Sequence, residues 1–104
     1  DAEAAFDVAL TALVQRLTPG EAEDLLSQLP SLLRARLPLP SGPRKEITRQ
    51  TMEDELAKRL DVTPDRAARI LEAFGATLAR NVSEGQMDDV RLQLREKMRT
   101  IFPA

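Results

Sequence analysis

The chain has 104 residues, 42% of them hydrophobic and 31% charged, with a formal net charge of −2. This composition is typical of a single globular domain and excludes a disordered chain, while the balanced charge argues against a nucleic-acid-binding protein. The absence of Cys and His excludes disulfides and zinc-thiolate sites and removes the commonest general base. No apolar run is long enough to span a membrane and no signal peptide is recognisable, so we expect a cytoplasmic protein.

An apolar stripe predicts the first helix. Apolar residues recur from Ala5 to Leu17 at the spacings of one helix face. The helix should stop at Thr18, because Thr18, Pro19 and Glu21 have the characters of an N-cap, a first-turn proline and a capping-box glutamate. A second helix follows, and Pro30 should end it before one short further turn.

A proline-rich segment divides the chain. Residues 38–43 read PLPSGP, and a cluster of prolines with a glycine indicates a linker. Within a single helical domain of residues 1–104, we assign residues 1–37 to a first unit, residues 38–47 to the linker and residues 48–104 to a second unit.

Three helices are predicted in the second unit. Thr48, Thr63 and Ser83 are the expected N-caps, and Gln86 would complete a second capping box with Ser83. Gly75, inside the middle helix, costs about 1 kcal/mol relative to alanine and is expected to mark a close helix contact. No segment alternates with a period of two, so the predicted fold class is all-α.

A shift of 65 residues relates the two units. The identical pairs that it superimposes are Leu13 and Leu78, Gly20 and Gly85, Asp24 and Asp89, Gln28 and Gln93, Leu29 and Leu94, and Arg34 and Arg99. We therefore expect a helical bundle of about five main helices, produced by internal duplication of a three-helix unit.

The repeat predicts an interaction surface. The first unit begins with the counterpart of the middle helix of the second unit, so its own first helix is expected to be absent. Part of the face formed by Phe6, Leu10 and Leu13 would then be uncovered, and an uncovered apolar patch is expected to bind a protein partner or a second copy of the chain.

The same residues resemble a bacterial family, the domain-of-unknown-function family 2267. The resemblance rests on residues 13–37 (LVQRLTPGEAEDLLSQLPSLLRARL), on residues 52–62 (MEDELAKRLDV) and on the SEG and DVR motifs of residues 83–91. It implies a duplicated helical bundle, and it implies no activity or catalytic residue. In two places the chain departs from the family. Arg95 stands where the family often has a proline, so we expect the last helix to continue unbroken, and the helix expected to be absent before Asp1 is usually present.

The remaining candidate residues favour structural roles. Gln28 and Gln93 occupy matching places and are expected to make polar contacts, either to backbone groups between the units or to a partner. Two acidic clusters, in residues 21–24 and 84–89, lie in the first turns of helices, where the helix dipole favours negative charge. Neither cluster has the alternating carboxylates of a calcium loop, so no metal site is expected.

We therefore expect a non-enzymatic protein-interaction or assembly module, without a cofactor, that binds a protein partner or forms a homo-oligomer. The alternative is binding of a small apolar ligand in a closed cavity of the bundle core. A regulatory nucleic-acid accessory is a weaker third hypothesis, because the charge is balanced and no recognition helix is evident.

Overall fold

The computed structural model of the protein describes residues 2–103, and within that range it contains helices and no strand. The helices are α1 (Ala2–Arg16), α2 (Pro19–Ser27), α3 (Ser31–Ala35), α4 (Arg49–Leu60), α5 (Pro64–Asn81), α6 (Glu84–Leu92) and α7 (Glu96–Arg99). The predicted all-α class is confirmed. α3 and α7 are short, with five and four residues, and the other helices have nine residues or more. Of the helices in this range, none combines the length and the apolar character needed to cross a membrane.

Hydroxyl side chains begin four helices at the predicted positions. Those of Thr18, Thr48, Thr63 and Ser83 each accept a hydrogen bond of 3.1 to 3.3 Å from the backbone amide three residues later. Each bond satisfies an amide that has no partner inside its helix. The predicted helix starts are confirmed at all four residues.

The last helix is broken, contrary to the expectation from the sequence. Residues 93–95 form a turn between α6 and α7, and Arg95 has an extended backbone with φ −71° and ψ 160°. Pro30 has a similar conformation, with φ −55° and ψ 140°, before α3. The turn brings Leu94 and Met98 into the core. The expectation of an unbroken helix is wrong because burial of these side chains turns the chain without a proline.

One hydrophobic core is continuous across the linker. α1 lies against α4 and α5, and α2 lies against α6. Fully buried leucines come from both sides of the linker, among them Leu10, Leu25, Leu56 and Leu78. The helices before and after the linker therefore stabilise each other through a shared core.

Gln15 holds the linker against the end of α1. Its amide nitrogen donates to the carbonyl of Leu39 at 3.2 Å, and its amide oxygen accepts from the hydroxyl of Ser41 at 2.8 Å. The backbone amide of Arg44 donates to the carbonyl of Gln15 at 2.8 Å. A β carbon at Gly42 would overlap that same carbonyl oxygen, so glycine permits the close approach.

Gly75 allows a second close approach. A β carbon there would overlap the backbone carbonyl oxygen of Ile101, which follows α7. Ile101 is almost fully buried, so the C-terminal segment is pressed directly on the backbone of α5. The predicted close contact at Gly75 is confirmed.

Candidate interaction surface

The predicted partner-binding face is mostly covered. Leu10 and Leu13 are 0% exposed, whereas Phe6 is partly exposed. The structure therefore leaves the Phe6 end of this face partly open and buries the two leucines in the core. The leucines are covered because α4 packs against α1 as well as α5, so one helix covers part of the apolar stripe of both.

What remains open beside Phe6 is a depression of about 500 Å³, which we call the α1–α5 groove. Its lining residues are Ala2, Ala5, Phe6, Leu60, Val62, Arg66, Ile70, Ala73, Phe74 and Thr77. Most of them are apolar, and Arg66 is the charged member of the set. The ring of Phe6 meets that of Phe74 edge to face, with centroids 5.0 Å apart.

A second depression, of about 390 Å³, lies between α1 and α4 and has more charged residues in its lining than the α1–α5 groove. Its charged members are Asp7, Arg44, Glu55 and Arg59, which carry both signs. Both depressions are partly open to the surface.

The two glutamines bind N-caps across the α2–α6 interface. Gln28, at the end of α2, binds the N-cap of α6, and Gln93, at the end of α6, binds the N-cap of α2. The amide oxygen of Gln93 accepts a hydrogen bond from the backbone amide of Thr18 at 3.0 Å. The amide oxygen of Gln28 accepts one from the backbone amide of Ser83 at 2.8 Å. Each amide nitrogen also donates to the hydroxyl of the same residue, at 3.0 Å for Gln93 and 3.4 Å for Gln28. Both contacts therefore join the two parts of the chain through a backbone group.

Glu21 and Gln86 do not complete the capping boxes that the sequence predicts. That prediction is wrong because Gln93 and Gln28 already occupy the backbone amides of the two N-caps. The amide nitrogen of Gln86 donates instead to the carboxylate of Glu21, across the α2–α6 interface. Both residues stand at the third position of their helices.

The environment of Glu21 disfavours its charged form. Partial burial raises the pKa of Glu21 above its ordinary value of 4.5, and the charges of Asp89 and Asp24 add to the rise. The hydrogen bond from Gln86 opposes it. The carboxylate is therefore held at the helix interface at some cost.

Two other acidic residues of the clusters, Glu23 and Asp88, form ordinary surface contacts. Glu23 pairs with Arg34 at 3.0 Å, and Asp88 approaches Arg91 at 3.5 Å. Within residues 2–103, no group of three or more acidic side chains is arranged to hold a metal ion.

Sequence reasoning found one wall of the groove and missed the other. The sequence points to Phe6 on α1, but it singles out no residue of α5 as part of a binding face. Ile70, Ala73 and Thr77 of α5 line the groove. The repeat contained the signal that could have found them, since Ala73 and Thr77 match Val8 and Ala12 of α1.

Comparison with known proteins gives a family for the chain. Among curated proteins, none matches it. A family model described as an uncharacterized conserved protein (DUF2267) matches residues 1–101, nearly the whole of the 104 residues. The chain therefore belongs to the DUF2267 family.

Proposed function

We propose that the protein is a non-enzymatic interaction module that binds a polypeptide through the α1–α5 groove. The observation that carries the proposal is the apolar lining of this groove. Phe6, one of three phenylalanines in the chain, remains partly exposed in it beside Phe74. Covering such a surface removes apolar area from water, which is the main favourable contribution to protein association.

The border of the groove favours a polypeptide over a small apolar ligand. Arg66 lines the groove with an exposed side chain, and it makes no ion pair with any described residue. Ala2 and Ala73 are exposed, so the groove lies open along helix surfaces. An open apolar strip with a charge on its border is the usual arrangement of a protein-binding surface.

We also propose that the two units derive from an internal duplication. α2 and α6 both have nine residues and begin 65 residues apart, and α1 and α5 end 65 residues apart. The glutamine contacts support the same relation, because each of their residues matches a residue of the other contact. Glu21 and Gln86, which bond to each other, are themselves a matched pair.

Photo-crosslinking followed by titration tests the proposed surface. A photoreactive residue is placed at Ala73, and a control is placed at Leu92, which is 76% exposed outside the groove. The protein crosslinked from position 73 is then purified and titrated against the unmodified chain, Ala73→Glu and Leu92→Glu. We expect Ala73→Glu to weaken binding about ten-fold or more, because it buries a charge in the apolar interface, and Leu92→Glu to leave binding unchanged.

Two results would overturn the proposal. One is equal crosslinking from both positions with equal affinity of both glutamate variants. The other is a chain that stays strictly monomeric by light scattering at high micromolar concentration and crosslinks to nothing from position 73.

A further inference from the structure

We infer that the α1–α5 groove receives one amphipathic α-helix of a partner polypeptide, and that this helix packs there as α4 packs on the opposite side of the bundle. The inference rests on the proposed function and specifies the partner's chemistry. It is carried by the correspondence between the groove and the site that α4 already fills.

One wall of the groove matches the wall that faces α4. Val8 and Ala12 of α1 line the depression beside α4. The residues 65 positions later, Ala73 and Thr77 of α5, line the α1–α5 groove. The same pair of helical positions therefore lines a depression beside α4 in one place and the α1–α5 groove in the other.

The other wall shows the same relation. Ala67 and Leu71 are 0% exposed on α5, the helix against which α4 packs. Their counterparts on α1 are Ala2, which is exposed, and Phe6, which is partly exposed in the groove. A helix placed as α4 is placed would cover both.

The inward face of α4 indicates which side chains a partner helix would place in the α1–α5 groove. Met52 and Leu56 are buried, and Leu60 is half-buried, so the inward face repeats every four residues. A groove between two helices accepts a third helix through such a stripe, because the side-chain ridges of one helix fit the grooves of its neighbours.

Charge specifies the partner further. Arg66 lines the groove and makes no ion pair within residues 2–103, so the partner helix should carry an acidic residue near it. The partner helix does not need a basic residue at the position that corresponds to Arg49 of α4. Arg49 binds Glu72 at 2.8 Å, but the matching residue Asp7 is already paired with Arg36 at 3.1 Å.

A peptide of residues 48–62 serves as the probe, since it contains the whole of α4. Short helices are marginal in water, so a lactam bridge joins the side chains of Asp54 and Lys58. Both side chains are exposed, four residues apart on the outer face. The control peptide carries the same bridge with Met52→Glu and Leu56→Glu.

The peptide is titrated into the intact protein and followed by NMR. We expect saturable binding that shifts the ring signals of Phe6 and Phe74 and leaves the methyl signal of the protein's own Met52 in place. Ala73→Glu should weaken binding about ten-fold or more, and Leu92→Glu should not. The control peptide should not bind.

Three outcomes would overturn the inference. They are no binding of the bridged peptide at millimolar concentration, shifts at Met52 that indicate displacement of α4, and equal affinity for Ala73→Glu and the unmodified chain. If the crosslinked protein still binds through position 73 while the bridged peptide does not, the proposed function stands and the helical partner is rejected.

Discussion

At the scale of single residues, the unusual feature is the way in which two N-caps are completed. In an ordinary capping box, the third helical residue returns to the backbone amide of the cap. Here Gln28 and Gln93, each at the end of the opposite helix, take that place. Because the glutamine comes from the other helix, the cap is no longer a local feature of one helix and becomes a contact between distant parts of the chain.

We predict that Gln28→Ala and Gln93→Ala each lower the free energy of unfolding by about 1 kcal/mol. Each change removes the acceptor of one N-cap amide and one contact between α2 and α6. Urea denaturation measures the loss. Gln50→Ala is the control, because Gln50 is exposed and, among residues 2–103, its side chain bonds only to Asp54 of its own helix. Losses no larger than that of the control would contradict the prediction.

Gly75→Ala should destabilise the protein by about 1–3 kcal/mol, the usual cost of overpacking. The added methyl group would overlap the carbonyl oxygen of Ile101, and only a shift of backbone could relieve it. Gly85→Ala is the matched control, because nothing lies within 4 Å of its β position. Thermal unfolding should show a lower Tm for the first variant and an equal or higher Tm for the second. Equal changes in both would show that α5 and the C-terminal segment are not in close contact.

Single residues also show where sequence reasoning succeeds. Thr48 and Thr63 were predicted correctly as N-caps because the signal and its effect lie within one turn of the chain. The hydrogen bond that Glu21 accepts from Gln86 could not be predicted from a local signal of this kind. Its nearest partner, Gln86, lies 65 residues away, and which amides are already occupied depends on the tertiary structure.

At the scale of helices, the α2–α6 pair combines good packing with an unfavourable charge. The carboxylate of Glu21 lies at the interface, near Asp24 of its own helix and Asp89 of the facing helix. Gln86 offers it one hydrogen bond. Glutamine at position 21 would keep the size of the side chain and remove the charge.

Glu21→Gln should raise the stability of the protein at pH 7 and leave it nearly unchanged below pH 4.5. Because the folded-state pKa of Glu21 is raised above 4.5, the stability associated with its protonated form is complete below that pH. This stability is lost as the pH rises through the raised pKa and Glu21 ionises. The variant does not lose it, because glutamine carries no ionisable group. Urea denaturation at pH 4 and pH 7 measures the difference.

The control for this pH dependence is Glu23→Gln on the same helix. Glu23 is exposed and pairs with Arg34, so its replacement should give no gain at pH 7. A Glu21→Gln variant that is less stable than the unmodified chain at pH 7 would show that the bond to Gln86 outweighs the cost of burying the charge.

Helix boundaries were predictable from the sequence only where a local signal ends the helix. Thr18 ends α1 and begins α2 as expected. The break before Arg95 was missed, because reasoning from the sequence attributed the corresponding break at Pro30 to the proline alone. The two positions share one backbone conformation, and what they have in common is the need to bury the preceding leucine, Leu29 or Leu94.

At the scale of the whole molecule, the all-α class followed from periodicity, but the open surface did not. The number of helices predicts a partly uncovered face at Phe6, Leu10 and Leu13, without saying which part is open. The number of helices could not show that α4 contacts α1 as well as α5, because this depends on where the linker places α4 relative to α1. Gln15 fixes the return through its contacts with Leu39 and Ser41. The α1–α5 groove is the part of the apolar surface of α1 and α5 that α4 does not cover.

The continuous core predicts that the protein survives a cut in the linker. Lys58→Arg and Lys97→Arg, both at exposed positions, leave Lys45 as the one lysine in the chain. Lys45 lies in a turn outside the helices, so a lysine-specific protease should cut there and produce fragments 1–45 and 46–104. The fragments should co-elute on gel filtration and keep the circular dichroism of the intact chain.

Separated in urea and returned to buffer alone, the 1–45 fragment should be largely unfolded. It keeps α1 but loses α4 and α5, which cover Leu10 and Leu13, and chains of this length rarely bury enough apolar surface to fold. Mixing the two fragments should restore the helical signal, because the core forms only when both parts are present. Full helicity of the 1–45 fragment alone would show instead that the first unit folds independently. Loss of helicity on cutting would show that the covalent linker, rather than the shared core, holds the two parts together.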